Sequence, residues 1–159
     1  MKRLYVITKQ LEHGMPLIRG KGYLSNAHWL MRWPAVAQPV LAPMERSKLT
    51  IARLTKSATG KVRRVRVRRT GERYVWNKDG VQAKSDLHAS VCYANASGTL
   101  EVWLSAYYVK HLGLPDVLYA IDPHTVVTER AKGWRVALLP MRPPNDKART
   151  RPRKRGRRC

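Results

Sequence analysis

Valine and arginine alternate along residues 61–69, whose sequence is Lys-Val-Arg-Arg-Val-Arg-Val-Arg-Arg. A β-strand sends successive side chains to opposite faces, so this pattern predicts a strand with Arg64, Arg66 and Arg68 on one face. The valines between them then form an apolar face that can pack on a core. Arginines at alternate positions lie about 7 Å apart, close to the spacing of phosphates along a nucleic-acid strand. We expect the arginine face to bind phosphates, and a solvated surface is the alternative.

The whole chain is strongly basic, with 32 Lys and Arg against 10 Asp and Glu and a net charge of +22. Self-repulsion on this scale opposes a compact fold unless a polyanion neutralises it. Nucleic acid, an anionic membrane and an acidic protein are the candidates, and nucleic acid has the highest charge density. Phosphate contacts release counterions, which makes such binding strong and salt-dependent. We therefore expect a DNA or RNA partner and an intracellular location with nucleic acid, in the cytoplasm and nucleoid or in the nucleus.

The positive charge is divided between a body and a tail. Residues 142–159 contain nine basic residues, one acid and three prolines. Such a segment cannot bury enough apolar surface to offset its backbone entropy, which predicts a disordered Arg/Lys-rich tail. Residues 1–141 keep an excess of positive charge, which predicts a single basic β-rich domain with its own binding face. Residues 34–47 are predicted to be a Pro-rich connector within it.

Turn residues divide the body into short elements and predict a strand-rich α+β fold, either an antiparallel sheet or a small barrel with one or two short helices. The predicted strands cover residues 3–9, 48–55, 61–69, 73–77, 87–93, 99–104, 117–121 and 134–139. The predicted helices cover residues 25–33 and 106–112. Ser105 is a candidate N-cap for the second helix, and Gly113 fits the position after its end.

The predicted nucleic-acid contacts are basic or aromatic and belong either to the strand region or to the tail. They are Arg63, Arg64, Arg66, Arg68, Arg69, Arg73, Tyr74, Trp76, Arg149, Arg151, Arg153, Lys154, Arg155, Arg157 and Arg158. The arginine fork matches phosphate oxygens in pairs. The rings of Tyr74 and Trp76 can stack on bases, and core filling is the alternative. The tail is expected to add affinity rather than sequence choice.

Catalytic signals are weak. The five histidines lack the spacing of metal ligands, and no Gly-rich phosphate loop or nucleophile elbow is present. A metal-dependent nuclease is the enzymatic alternative, and its best candidate residues are Asp116, Asp122, His124, Glu129 and Lys132. Because acids are ordinary at turns and strand ends, we expect no enzymatic activity, no cofactor and no metal.

The apolar stretch 29–44 contains Arg32 and three prolines, so it cannot be a membrane-spanning helix. No membrane partner is expected. The same stretch, with Trp29 and Trp33, is a candidate contact for a protein partner, and packing against the sheet is the alternative.

The two cysteines, Cys92 and Cys159, predict neither a structural disulfide nor a zinc site and indicate a reducing compartment.

Residues 98–140 have a recognisable order of short motifs. A strand begins at 98–102, a short helix ends in Leu112-Gly113-Leu114, Asp116 follows, and a hairpin ends in the aliphatic strand 133–140. This order resembles the swapped-hairpin DNA-binding domains of the AbrB/MazE type, although Ser105 stands where that family has a proline. The resemblance implies an intertwined homodimer that binds DNA. It implies no contact residues, because the DNA-contacting arginines of the family have no matched position in this sequence.

Three classes of function fit these features. The first is a nucleic-acid-binding protein, either a regulator or an accessory factor. The second is a structural component of a ribonucleoprotein or a virus particle. The third is an interaction protein that binds an acidic partner or a nucleic-acid enzyme.

Overall fold

The computed structural model describes residues 18–20, 22–32, 45–75 and 88–144, which form nine strands and two helices. The strands are β1 Ile18–Gly20, β2 Tyr23–Ser25, β3 Trp29–Arg32, β4 Val65–Val75, β5 Ala89–Ala94, β6 Glu101–Ser105, β7 Val117–Ala120, β8 Val127–Thr128 and β9 Val136–Leu138. The helices are α1 Glu45–Thr59 and α2 Ala106–His111. Predictions for residues 3–9, Trp33, Trp76 and the tail from residue 145 onward lie outside the described residues.

The nine strands form one sheet in the order β1-β2-β3-β9-β8-β7-β4-β5-β6. Every pair of neighbours is antiparallel. The predicted class, a strand-rich α+β fold built on an antiparallel sheet, is therefore confirmed. Two of the pairings, β3 with β9 and β4 with β7, join segments that are far apart in the chain.

The sheet curls so that β6 meets the chain that leaves β9. Met141 donates its backbone N–H to the carbonyl oxygen of Trp103, with a distance of 2.7 Å between nitrogen and oxygen. The two residues form an antiparallel bridge. This single bridge connects the ends of a ring of strands β9, β8, β7, β4, β5 and β6, while β1 to β3 extend the sheet beyond β9.

Two apolar cores hold the strands together. Every strand of the ring contributes to the larger core, for example through Val67, Val91, Val102, Leu118, Val127 and Val136. β3 places Trp29 and Met31 in the larger core and Leu30 in the smaller one, because alternate residues of a strand face opposite sides. The smaller core also contains Leu54 and Ala58 of α1. Both faces of β3 are therefore buried.

The burial of Trp29 corrects one prediction. Its side chain has no exposed surface, so Trp29 is not a contact for a protein partner.

The predicted helix at 25–33 is also wrong, since β2 and β3 form a hairpin. The amide oxygen of Asn26 accepts the backbone N–H groups of His28 and Trp29, and Ala27 has a φ of 74°. The two hydrogen bonds stabilise a tight turn where the sequence predicted a helix, and they offset the cost of the positive φ at Ala27.

Helix α1 replaces the strand predicted at 48–55. The β-branched residues of that segment favour a strand, but Leu54 and Ala58 lie four positions apart and are buried on one face of a helix. Tertiary burial of this face outweighs local propensity. The helix begins at Glu45, so it includes the last residues of the connector predicted at 34–47.

Strand β4 is continuous where the sequence predicted two strands separated by Thr70-Gly71. Between Arg69 and Arg73 the strand is irregular, because three residues of β4, at 70–72, lie opposite the single residue Cys92 of β5. Gly71 lies in this bulge with a φ of 86°, a backbone conformation that glycine adopts without strain. The glycine therefore produces a bulge rather than a turn.

Helix α2 and both of its caps agree with the prediction. The hydroxyl of Ser105 accepts the backbone N–H of Tyr108 at the start of the helix. At its end, Gly113 donates to the carbonyl of Lys110, and Leu114 donates to that of Val109. This pair of bonds is a Schellman motif, which the positive φ of Gly113 makes possible. Neither helix in the described part of the chain is long and apolar enough to span a membrane.

Candidate nucleic-acid interface

The register of β4 assigns its arginines to two faces, because directly paired residues of antiparallel strands share a face. Arg66 pairs with Tyr119 of β7, and both Arg66 and Arg68 are exposed. Val67 pairs with Leu118, and both are fully buried in the larger core. The alternation predicted from the sequence is confirmed for these residues. Arg66 and Arg68 form the outer arginine pair, on the side of β4 that faces away from the larger core.

Arg64 departs from that prediction. Strand β4 begins one residue later, and the guanidinium of Arg64 turns towards the end of α1. It donates hydrogen bonds of 2.8 Å to the carbonyl oxygens of Ser57 and Ala58. Partial burial lowers the pKa of Arg64 from its ordinary value. Arg64 therefore neutralises the negative end of the helix dipole instead of joining Arg66 and Arg68 on the outer face.

A basic groove opens beside Arg64, with a volume of about 490 Å³. Its cationic side chains come from β3, from the link between α1 and β4, and from the loop between β8 and β9. They are Arg32, Lys61, Arg63, Arg64 and Lys132. No acid is among the described residues that line the groove. The guanidinium of Arg64 is hydrogen-bonded to the helix carbonyls. The attraction of the groove for anions therefore comes mainly from its other cations, which are Arg32, Lys61, Arg63 and Lys132.

Arg32 is held in place by aromatic rings. Its guanidinium carbon lies 4.9 Å from the centre of the Trp134 ring, a cation–π contact. Tyr23 stacks on the same indole, with ring centres 5.9 Å apart. Trp134 is itself buried in the smaller core. The position of Arg32 is therefore fixed by the core rather than by another charge.

The loop between β8 and β9 is fixed by Glu129. Its two carboxylate oxygens accept the backbone N–H groups of Arg135 and Val136. Thr128 donates its hydroxyl to the carbonyl oxygen of Arg130 at 2.8 Å. These bonds constrain the loop that places Lys132 at the groove. The sequence has no local signal that brings Lys132 near Arg32, since their proximity depends on the pairing of β3 with β9.

Arg69 and Arg73 lie on the opposite face from the outer arginine pair. They line a cavity at α2 together with Lys110. Tyr74 is half-buried and pairs with Ser90 of β5, so its ring does not share a face with Arg73. Base stacking by Tyr74 stays a prediction.

An aromatic cluster that the sequence interpretation missed lies on α2. The ring of Tyr107 is 4.5 Å from that of His111 and meets the ring of Tyr108 edge-on. His28 stacks on Tyr108, and Asn26 donates its side-chain amide to the hydroxyl of Tyr108 at 2.8 Å. The sequence signal for this cluster is the spacing of four residues between Tyr107 and His111, which places both side chains on one face of a helix. The cluster ties the turn between β2 and β3 to the helix.

The acids of the nuclease alternative have separate structural roles. Asp122 accepts the backbone N–H groups of His124 and Thr125, Glu129 fixes its own loop, and Asp116 lies 4.0 Å from Arg69. Within the described ranges, the set of side chains close enough to share a metal ion is instead Glu72, Cys92 and Glu101. Each of those three also takes part in another interaction, so their proximity assigns no metal.

No protein-family model, curated protein sequence or solved structure matches this chain. The resemblance of residues 98–140 to swapped-hairpin domains, and the homodimer that it implies, therefore stay predictions.

Proposed function

We propose that this protein binds nucleic acid by contacting phosphates with the basic groove and the outer arginine pair. The observation that carries the proposal is the convergence of Arg32, Lys61, Arg63 and Lys132 on one groove that no described acid lines. Like charges repel, so bringing them together costs free energy unless an anion neutralises them. A phosphate backbone supplies anions at regular spacing along one molecule.

The arrangement supports binding without strong sequence preference. Lysine and arginine contacts to phosphates position a protein on nucleic acid but do not identify the bases. The cations of the groove come from three separate segments, so the fold sets their spacing in advance of binding. Binding then requires little rearrangement of Arg32, which is already stacked on Trp134. A regulator, an accessory factor and a particle component would all use such a surface.

An acidic protein is the competing partner. The burial of Trp29 removes part of the apolar surface that favoured a protein partner in the sequence. The groove also has apolar lining, including the exposed Val62 and the buried Trp134, so the comparison of partners depends on its cations. Phosphate recognition accounts for the lining better, because arginine forks match phosphate oxygens in pairs.

The test is a salt titration of binding with the full-length protein, read by fluorescence anisotropy of labelled duplex DNA, single-stranded DNA, structured RNA and polyglutamate. The groove variant is Arg63→Gln with Lys132→Gln. We expect it to bind the preferred nucleic acid about tenfold more weakly and to lower the salt slope by about 2. The matched control is Arg53→Gln with Lys56→Gln, which removes the same charge from exposed positions of α1 outside the groove.

Equal losses in the two variants would show that net charge alone drives binding and would overturn the role of the groove. Stronger binding to polyglutamate than to every nucleic acid would indicate that the partner is an acidic protein rather than a nucleic acid. A loss confined to the groove variant, with nucleic acid preferred over polyglutamate, is the expected result.

A further inference from the structure

The guanidinium of Arg32 has a different environment from the other cations of the basic groove. It lies over the ring of Trp134 and makes no hydrogen bond or ion pair with the described residues. Trp134 is almost fully buried, so the core covers one side of the guanidinium, whereas Arg32 as a whole is exposed. The uncovered side of this planar group is therefore open to the groove that Arg32 lines.

The fold fixes the position of this side chain. The backbone N–H of Arg32 donates to the carbonyl oxygen of Arg135 at 2.8 Å, which joins β3 to the loop that carries Trp134. Arg32 also pairs directly with Tyr23 of β2, so the two side chains share a face of the sheet. Tyr23 stacks on Trp134 as well. The indole that supports the guanidinium is thus held in place before any ligand binds.

An exposed apolar side chain lies at the same groove. Val62 lines it and is 60% exposed. Among the described residues, the other large apolar side chain with such exposure is Val65, at 39%, which lies outside the groove. A single exposed valine is ordinary on a protein surface. In the groove, however, it offers an apolar contact that the oxygens of a phosphate cannot use.

These two features suit a ligand that is more than a row of phosphates. The side of a guanidinium plane stacks on flat aromatic groups, including unpaired nucleobases. The volume of about 490 Å³ exceeds that of a phosphate group and is in the range of pockets that hold a small organic molecule. The groove therefore has room for a base in addition to the phosphates on either side of it.

We propose that the basic groove binds single-stranded nucleic acid, with one unpaired base stacked on Arg32 and against Val62. The flanking phosphates then contact the other cations of the groove, which are Lys61, Arg63 and Lys132. This inference rests on the proposed function and adds the state of the nucleic acid to it. A duplex keeps its bases paired and stacked, so only their edges are accessible. The bases of a single strand have free faces, and stacking on them is tolerant of sequence.

The experiment compares strands that carry the same phosphates with and without bases. The full-length protein is titrated with labelled oligo(dT), with an abasic strand of the same length and with the oligo(dA)–oligo(dT) duplex, and fluorescence anisotropy measures binding. We expect oligo(dT) to bind at least about fivefold more tightly than the abasic strand, because one stacked base contributes a factor of that order. The two strands should have equal salt slopes, since they present the same phosphates.

The variant Arg32→Lys keeps the positive charge and removes the planar guanidinium. It should bind oligo(dT) about fivefold more weakly. Its affinity for the abasic strand and for the duplex should change by less than about twofold, because the charge is retained. The matched control is Arg53→Lys at an exposed position of α1 outside the groove, and all three affinities should stay as in the wild type.

A second variant, Val62→Thr, keeps the test valid if Arg32→Lys does not fold, because Val62 is exposed. It replaces a methyl group with a hydroxyl of similar size and should weaken the binding of oligo(dT) by about threefold. The abasic strand should bind as before. Val65→Thr makes the same change outside the groove and should leave both affinities unchanged.

Equal binding of oligo(dT) and the abasic strand would overturn the inference, and so would an equal loss for all three ligands in Arg32→Lys. If a steep salt slope remains and the groove variant Arg63→Gln with Lys132→Gln lowers it, the proposed function still stands. Failure to bind any nucleic acid would overturn both. The loss in Arg32→Lys, measured with oligo(U) as well as oligo(dT), shows whether the site takes RNA, DNA or single strands of both kinds.

Discussion

At the scale of single residues, Arg64 and Arg66 have different roles although they are two positions apart. Arg66 is exposed on the outer face of β4, whereas Arg64 donates two hydrogen bonds to the last carbonyls of α1. The last four carbonyls of a helix have no partner within the helix, so such bonds satisfy groups that would otherwise need water. The two roles differ because strand β4 begins at Val65, so that Arg64 lies just outside the strand and Arg66 lies within it.

Replacing Arg64 should therefore cost stability, and replacing Arg66 should not. We expect Arg64→Ala to lower the free energy of unfolding by about 1–2 kcal/mol, because both carbonyls lose a charged donor. Arg66→Ala should change it by less than about 0.5 kcal/mol. Urea unfolding followed by circular dichroism measures both. Similar values for the two variants would show that Arg64 does not stabilise the helix end.

The carboxylate of Asp122 should make the stability of the folded protein depend on pH. Partial burial acts to raise its pKa, but the hydrogen bonds from His124 and Thr125 outweigh this effect, and the pKa lies below its ordinary value. The ionised carboxylate therefore stabilises the folded state above about pH 4, the ordinary pKa of Asp. This contribution is lost as the pH falls from there through the lower pKa of the folded protein.

The variant Asp122→Asn separates the charge from the turn, because its amide oxygen can accept the same bonds but does not titrate. We expect the wild type to be more stable than this variant by up to about 1 kcal/mol at neutral pH. The difference should shrink on acidification below about pH 4. Urea midpoints across that pH range provide the measurement. A difference that is constant with pH would contradict the role of the charge.

At the scale of elements, the local signals were sufficient for β5, β6 and α2, and for the alternation in the first part of β4, but not for its bulge. Alternation identified the inward Val67 and the outward Arg66, and Ser105 and Gly113 marked the ends of α2. The strand predicted at 48–55 was wrong because the burial of Leu54 and Ala58 depends on β3 and β9, which are distant in the chain. The basic groove was missed for the same reason. Its cations are neighbours only after the long-range strand pairs have formed.

The bulge of β4 is the element that sets the spacing of Arg69 and Arg73. A side chain at Gly71 would meet the penalty of a positive φ, about 1–2 kcal/mol. We expect Gly71→Ala to lower the free energy of unfolding by that amount. Gly98→Ala is the matched control, because Gly98 has a φ of 71° and open space around its Cβ position, so it should lose similar stability. Urea unfolding measures both, and a loss at Gly98 without one at Gly71 would contradict the role of the positive φ in the bulge.

At the scale of the whole molecule, the net charge of +22 opposes the compact state. Added salt screens this repulsion, since the Debye length falls from about 30 Å at 0.01 M to about 8 Å at 0.15 M. We expect the thermal midpoint to rise by several degrees over that range, and circular dichroism would measure it. NaCl and KCl should give the same curve, because screening depends on ionic strength. A midpoint that falls with salt would mean that attractive ion pairs outweigh the repulsion.

The bridge between Trp103 and Met141 has a consequence for self-association. A strand with unpaired backbone groups along one side can template the addition of a foreign strand, and this is a common route to aggregation. Met141 occupies the middle of β6, so that strand offers no continuous row of free groups. Among the described strands, the open rim of the sheet is then the three-residue β1, which is too short for stable addition. The described sheet therefore offers little template for the addition of a strand from a second copy of the chain.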